Sequence, residues 1–147
     1  MRKRFFTLVA ATIALVSSAI PLHAADAIGR LPDGSWVEQY AVMFAPGETF
    51  PWHFHTGPLA IVVVEGELTE YHGCGDAPIV HPAGQAFTEE IGAVHMVANN
   101  GAVPVTLAIS GILPECYGDF NDTILVDGPR CDCKSGRSKR EPVPRCP

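Results

Sequence analysis

The chain has 147 residues, 47% of them hydrophobic and 18% charged, with a formal net charge of −6 at pH 7. That length supports one domain around one core rather than several. The acidic balance excludes nucleic acid as a natural partner, because a negative surface repels a phosphate backbone.

Residues 1–24 have the pattern of an export signal. Arg2-Lys3-Arg4 forms a basic start, Phe5 to Ile20 is an uncharged apolar run, and Ala24 and Ala25 offer small residues for cleavage. The run is shorter than the roughly 20 residues that a spanning helix needs, so no membrane anchor is expected after cleavage. A periplasmic or secreted location follows as an expectation. Between Ala25 and Pro129 the sole Lys or Arg is Arg30, so the acidity is concentrated in the body of the chain.

Trp36 to Phe44 reads as an opening strand, broken by Ala45-Pro46-Gly47. His53-Phe54-His55 follows. On an extended segment, side chains at i and i+2 share a face, so these two imidazoles stand side by side, with Trp52 and Phe54 on the other face. Paired imidazoles make half of a metal site, suited to zinc, copper, iron or nickel. Leu59 to Val64 is a continuous β-branched run that predicts a strand buried on both faces. Glu67 to His72 alternates polar and apolar, which predicts a strand with one wet face. Gly73 to Pro78 is a turn cluster. Ile79-Val80-His81 and Gln85 to Thr88 are further short strands. His95 lies on the strand-like run Val94 to Val97, and Asn99-Asn100-Gly101 carries a hairpin signal. Val103 to Leu113 is the last strong strand. His72 and His81 stand outside this pattern and are read as ordinary exposed or hydrogen-bonded histidines. Many short strands with Gly, Pro and Asn between them predict an all-β barrel or jelly roll.

Gly47, His53, His55 and Gly66 fall on the spacing G-x5-H-x-H-x3-x-x6-G, and Gly84, Gly92, His95 and Asn99 fall on G-x5-x-x-G-x2-H-x3-N. In this the chain resembles the cupin superfamily, in particular small single-domain cupins of the quercetin dioxygenase-like type, over about residues 36–113. Two positions depart. The glutamate of the first motif falls at Leu59 and the proline of the second at Glu90. The resemblance implies a cupin jelly-roll β-barrel over residues 25–114, followed by a Cys-rich basic extension over 115–147. It also implies a divalent metal ion (Fe, Mn, Zn, Ni or Cu) held by His53, His55 and His95, a small-molecule ligand, and an option of homodimerisation. With Leu59 in the glutamate position, the ligand set reads as three neutral imidazoles and no carboxylate. That set leaves the ion its full charge, favouring an anionic chelating substrate. Glu48 and Glu67 lie close enough in sequence to substitute as ligand or base. Three readings stay open: a dioxygenase-like oxidoreductase, a non-catalytic module that binds a small ligand or a metal, and a cupin that has lost its metal, with Leu59 as the first sign of that loss.

Four of the five cysteines, Cys116, Cys131, Cys133 and Cys146, lie in the C-terminal extension, and Cys74 lies in the turn cluster. In an exported protein these are disulfide candidates, with a Cys-x-Cys metal site at Cys131 and Cys133 as the alternative. A bridge from the extension to the body, through Cys74 or Cys116, is expected to hold the basic tail. Charge attraction alone would hold it only loosely.

Overall fold

Among the described residues, the alternation of apolar residues along the chain produces ten strands and one 3-10 turn. The computed structural model describes residues 27–117, 123–132, 135 and 137–143, so the expected signal at 1–24 lies outside the described residues, as do Cys133 and Cys146. The strands are β1 (Ala27–Arg30), β2 (Trp36–Phe44), β3 (Thr49–His55), β4 (Leu59–Glu65), β5 (Glu67–Tyr71), β6 (Ile79–Pro82), β7 (Ala86–Glu89), β8 (His95–Ala98), β9 (Val105–Leu113) and β10 (Thr123–Leu125). The 3-10 turn spans Glu115–Tyr117. No α-helix occurs among the described residues.

Two five-stranded sheets form, with orders β1-β2-β9-β4-β7 and β10-β3-β8-β5-β6. All pairings are antiparallel. The sheets enclose one core, with Leu59, Ile61, Val63, Leu107 and Ile109 from the first and Leu68 and Val97 from the second. This is the all-β jelly roll that the strand pattern predicts.

The register arranges the inner face of the first sheet in transverse rows. Glu38 pairs with Gly111, Gly111 with Leu59, and Leu59 with Glu89. The next row is Tyr40, Ile109, Ile61 and Phe87, and the row beyond is Val42, Leu107 and Val63. Polar groups therefore occupy one row, and apolar groups fill the rows below it.

Three local expectations are corrected. The run Leu59 to Val64 is not buried on both faces, since Val62 and Val64 are 43% and 54% exposed. In a barrel of antiparallel strands one face of every strand lies outside, and β-branched residues suit that face as well as the core. The segment Glu67 to His72 has no wet face through its middle: Leu68, Thr69 and Glu70 are all buried. Glu70 is inside because it is bonded there by two histidines. Asn99-Asn100-Gly101 makes no hairpin, because β8 and β9 belong to different sheets. Asn99 instead braces the crossing. Its side-chain nitrogen donates to Phe44 O (3.0 Å) and Val103 O (2.8 Å), and its oxygen accepts from Gly101 N (2.9 Å).

The extension after Leu113 is not a separate appendage. Its strand β10 joins the edge of the second sheet by pairing with β3, placing Thr123 opposite His55 and Leu125 opposite His53. Val126 N then bonds to Trp52 O at 2.9 Å. Cys131 is bridged to Cys74, 57 residues away in sequence, and Cys116 is disulfide-bonded as well. Beyond the bridge, Glu141 N donates to Gly92 O (2.8 Å), Arg140 donates to Ile91 O (3.2 Å), and Arg140 pairs with Glu90. Gly92 has φ +72°, and a Cβ there would lie 2.5 Å from Glu141 O. Only glycine lets the strap lie this close to the loop that leads into His95.

A disulfide spanning this many residues typically contributes about 2–4 kcal/mol. The variant Cys74→Ser/Cys131→Ser should lose about that much in urea unfolding. It should also be cut faster by trypsin at Arg137, Lys139 and Arg140, whose side chains are exposed but whose backbone the bonded strap holds in wild type. A variant as stable and as resistant as wild type would show that the strap holds without its bridge.

Candidate metal centre

His53 and His95 stand directly opposite each other on β3 and β8, and His55 lies two residues along β3 on the same face. Their ring centroids are 4.2 Å (His53–His95), 4.9 Å (His53–His55) and 5.3 Å (His55–His95) apart. The three histidines named from the sequence therefore come together, all from the second sheet. The structure adds a fourth group, Glu89 of β7, from the first sheet. Its carboxylate oxygens lie 2.8 Å from His55 Nε2 and 3.1 Å from His95 Nε2. One ligand atom from each of the four residues lies within 4.8 Å of the others, and all four residues are buried.

Glu89 corrects the expectation of a carboxylate-free site. It occupies the position on β7 paired with Leu59. Side chains opposite each other on an antiparallel pair share a face with Cβ atoms about 4.5–5.5 Å apart. A carboxylate moved from one member of such a pair to the other reaches the same point in space. The signal was present in the sequence: Ala86-Phe87-Thr88-Glu89 alternates, which places Glu89 on the same face as Phe87. Glu48 and Glu67 take no part. Glu48 is exposed and its Oε2 accepts from Ala45 N at 2.7 Å, and Glu67 is exposed.

Outer hydrogen bonds set the imidazole tautomers. His53 Nδ1 lies 2.7 Å from Pro51 O, and His95 Nδ1 lies 2.9 Å from Ala93 O. A carbonyl only accepts, so each Nδ1 carries the proton and each Nε2 turns its lone pair inward. His55 Nδ1 meets Thr123 Oγ1 of β10 at 3.2 Å, so the C-terminal strand helps to orient a third ring. At His95 an Nε2 lone pair then faces a carboxylate oxygen, and this buried nitrogen has no hydrogen-bond partner. Two acceptors at that distance repel unless a cation lies between them. A proton or a metal ion can serve, and the donor set of three imidazoles and one carboxylate suits a divalent transition metal. The residues present fit such an ion.

The electrostatics agree. Burial, and then the neighbouring His95, lower the pKa of His53 to about 4, so it is neutral at pH 7. Burial pushes the Glu89 carboxyl up, but the contacts with His55 and His95 outweigh it and hold Glu89 well below the ordinary carboxylate range.

The remaining sequence candidates fall outside the cluster. His81 Nε2 bonds to Glu70 Oε2 at 2.9 Å, and its ring stacks on Phe87 at 3.8 Å. His72 Nε2 lies 3.2 Å from Glu70 Oε1, and this contact raises the pKa of His72. Burial raises Glu70, but the bonds from His72 and His81 lower it below its ordinary value. Beside the cluster is a cavity of about 360 Å³. Its polar lining includes Glu38, His53, His55, Glu89 and Thr123, and its apolar wall includes Phe44, Ile61, Leu68 and Leu107.

Comparison with known proteins follows this geometry. The family model described as "Cupin domain" matches residues 40–110. No curated protein matches the chain. Among solved structures, an uncharacterised conserved protein with a double-stranded β-helix domain from Klebsiella pneumoniae aligns at 19% identity and TM-score 0.48, over 86% of this chain and 99% of its own. A cupin superfamily protein from Desulfitobacterium hafniense aligns at 17% identity and TM-score 0.47, over 53% of this chain and 68% of its own. An oxalate oxidase aligns at 28% identity and TM-score 0.49, over 61% of this chain. This chain spans 46% of that oxidase's length.

Two predictions come from the site. The first concerns the metal-free protein. The pKa of His53 is lowered on folding, so between its ordinary value near 6.5 and about 4 the unfolded chain binds the extra proton. Its contribution to stability is complete above pH 6.5 and is lost as pH falls toward 4, by on the order of 3 kcal/mol. His53→Asn keeps a donor for Pro51 O and removes that titration. Its urea-unfolding free energy should fall less steeply over this pH range, and equal slopes would contradict the assignment.

The second concerns the pair Leu59 and Glu89. Glu89→Leu should weaken metal binding by more than the roughly 10–100-fold that losing a supporting group costs. The exchanged variant Leu59→Glu/Glu89→Leu should regain most of it, read by metal content and competition titration. Leu59→Glu alone sets two carboxylates side by side and should lower the melting temperature of the metal-free protein. No recovery in the exchanged variant would show that the two positions do not reach the same point.

Proposed function

We propose that this chain, whose residues 40–110 match the cupin-domain model, is a metal-dependent, dioxygenase-like oxidoreductase acting on a small anionic chelating substrate. The supporting observation is that three of the four cluster residues, His53, His55 and Glu89, line the mostly apolar cavity, with His95 beside them. The four residues would hold the ion. When bound, a redox-active divalent ion supplies a Lewis acid with open coordination positions and electrons for reaction with oxygen.

The chain's own residues do the rest. Pro51 O and Ala93 O fix the proton on Nδ1 of His53 and His95, which keeps both Nε2 atoms available as ligands. Glu89 takes one unit from the charge of a divalent ion. The centre still draws an anionic oxygen donor, though less strongly than the three-imidazole set expected from the sequence. The apolar wall excludes water and receives the body of the substrate, which strengthens every electrostatic contact at the polar end. Work outside the cytoplasm is part of the proposal. The N-terminal pattern of residues 1–24 and the Cys74–Cys131 bridge support it, since disulfides persist in oxidising compartments.

The test is oxygen uptake by full-length protein loaded in turn with Fe(II), Mn(II), Ni(II), Cu(II) and Zn(II), with a panel of small chelating carboxylates and enols. Uptake should depend on both metal and substrate and should disappear in His95→Ala. Metal-dependent binding of those compounds with no oxygen uptake under any metal would make the protein a binding module on the same site.

A further inference from the structure

Glu38 is the second carboxylate of the cavity, and no motif accounts for it. It lies on β2 in the set Trp36, Glu38, Tyr40, Val42 and Phe44, whose alternate positions face one way. It is 2% exposed and lines the same cavity as His53, His55 and Glu89.

Register places it more closely. Glu38, Gly111, Leu59 and Glu89 form one transverse row across four strands. Glu89 closes one end of that row at the metal cluster, and Glu38 closes the other. Between them the floor is low at Gly111. A Cβ built there would lie 2.7 Å from Glu38 Oε1 and 2.6 Å from Leu59 Cδ2. The Glu38 carboxylate and the Leu59 side chain therefore both lie over the glycine, Glu38 from one side and Leu59 from the side of the cluster. The rows beneath, from Tyr40 to Phe87 and from Val42 to Val63, are almost wholly apolar.

We propose that Glu38 determines ligand specificity. Its carboxylate accepts a hydrogen bond from a hydroxyl that the ligand carries a few bonds from the oxygen held at the metal centre. The ligand class is a hydroxy acid with a short apolar body. Its carboxylate meets the residual positive charge of the centre, its hydroxyl meets Glu38 across the Gly111–Leu59 floor, and its body fills the apolar rows. A carboxylate has about four acceptor sites, so contacts that Glu38 makes within the protein leave capacity for the ligand. The inference rests on the reading of the four-residue cluster as a metal centre.

The experiment uses full-length protein loaded with Zn(II), which cannot turn the probes over. Calorimetric titration compares two matched pairs, hexanoate with 3-hydroxyhexanoate and phenylacetate with 4-hydroxyphenylacetate. Wild type should prefer the hydroxylated member of at least one pair by about tenfold or more, the discrimination expected of a site built to bond a hydroxyl. Glu38→Met should abolish the preference, with Zn(II) content unchanged. Glu38→Gln, which keeps a neutral acceptor, should retain part of it. Gly111→Ala keeps Glu38 but pushes its carboxylate off the floor, and should reduce the preference in the same way. This last variant decides the matter should Glu38→Met fail to fold. Equal preferences in wild type and in the variants would overturn the role of Glu38 and leave the metal centre standing. Zn(II) bound at the cluster with none of the four probes bound would overturn the ligand class. Failure of Zn(II) to bind at all would overturn the metal reading and this inference with it.

Discussion

A buried carboxylate from one sheet facing imidazole lone pairs from the other is the constraint around which this barrel is built. Glu89 and His95 approach to 3.1 Å with both facing atoms able only to accept, once Ala93 O has fixed the His95 proton on Nδ1. Neither side chain can turn to water, since His95 is 1% exposed and Glu89 is buried. The contact is repulsive without a cation and strongly attractive with one, because the surrounding apolar wall provides little screening. The two sheets thus meet at a point that a proton or a metal ion must occupy. The Pro51 and Ala93 carbonyls, the Thr123 hydroxyl and the paired register of β3 with β8 all hold the four groups at that point.

The carboxylate shows that the fold constrains position in space rather than position in sequence. The family pattern puts it on β4, where this chain has Leu59. Here it comes from β7, on the residue paired with Leu59. Such an exchange is cheap within an antiparallel pair, because both members face the same way at nearly the same depth. It has one consequence for the rest of the row. With Leu59 apolar, the middle of the row is a floor between two acids, and Gly111 keeps that floor low.

The sequence shows face parity well and spatial partnership poorly. His53 and His55 were legible as neighbours because a strand has a period of two, and His95 joined them through motif spacing. Glu89 was equally regular in its alternation with Phe87, yet nothing local states which strand lies beside it. Glu38 carried a similar signal, an acid at the inward positions of an apolar strand. Parity also does not say whether the second face of a strand meets a layer or water, which is why Val62 and Val64 were misread as buried. Glu70 was misread in the opposite sense. Its alternation suggested a wet face, but His72 and His81 satisfy it inside. Asn99 resembled a hairpin residue because its side chain does bond the backbone of a turn, although that turn crosses between sheets.

The C-terminal segment is where sequence and site are most closely coupled. The segment begins at Glu115, and composition alone describes its last part, from Arg130 onward, as polar, basic and without a core of its own. Three different constraints order it. The backbone pairing of β10 with β3 ties it to the metal-bearing strand, the Cys74 bridge anchors it across the outside of the second sheet, and the Glu141–Gly92 contact lays it over the loop before His95. The exposed pair between Arg140 and Glu90 adds little to this, since such pairs are worth about 0–1 kcal/mol and salt screens them. Covalent and backbone bonds therefore keep the segment in place. Because Thr123 is part of that segment and meets His55 Nδ1, the segment forms part of the wall of the candidate site. The orientation of the third imidazole depends on a strand that lies outside the span of the two histidine motifs.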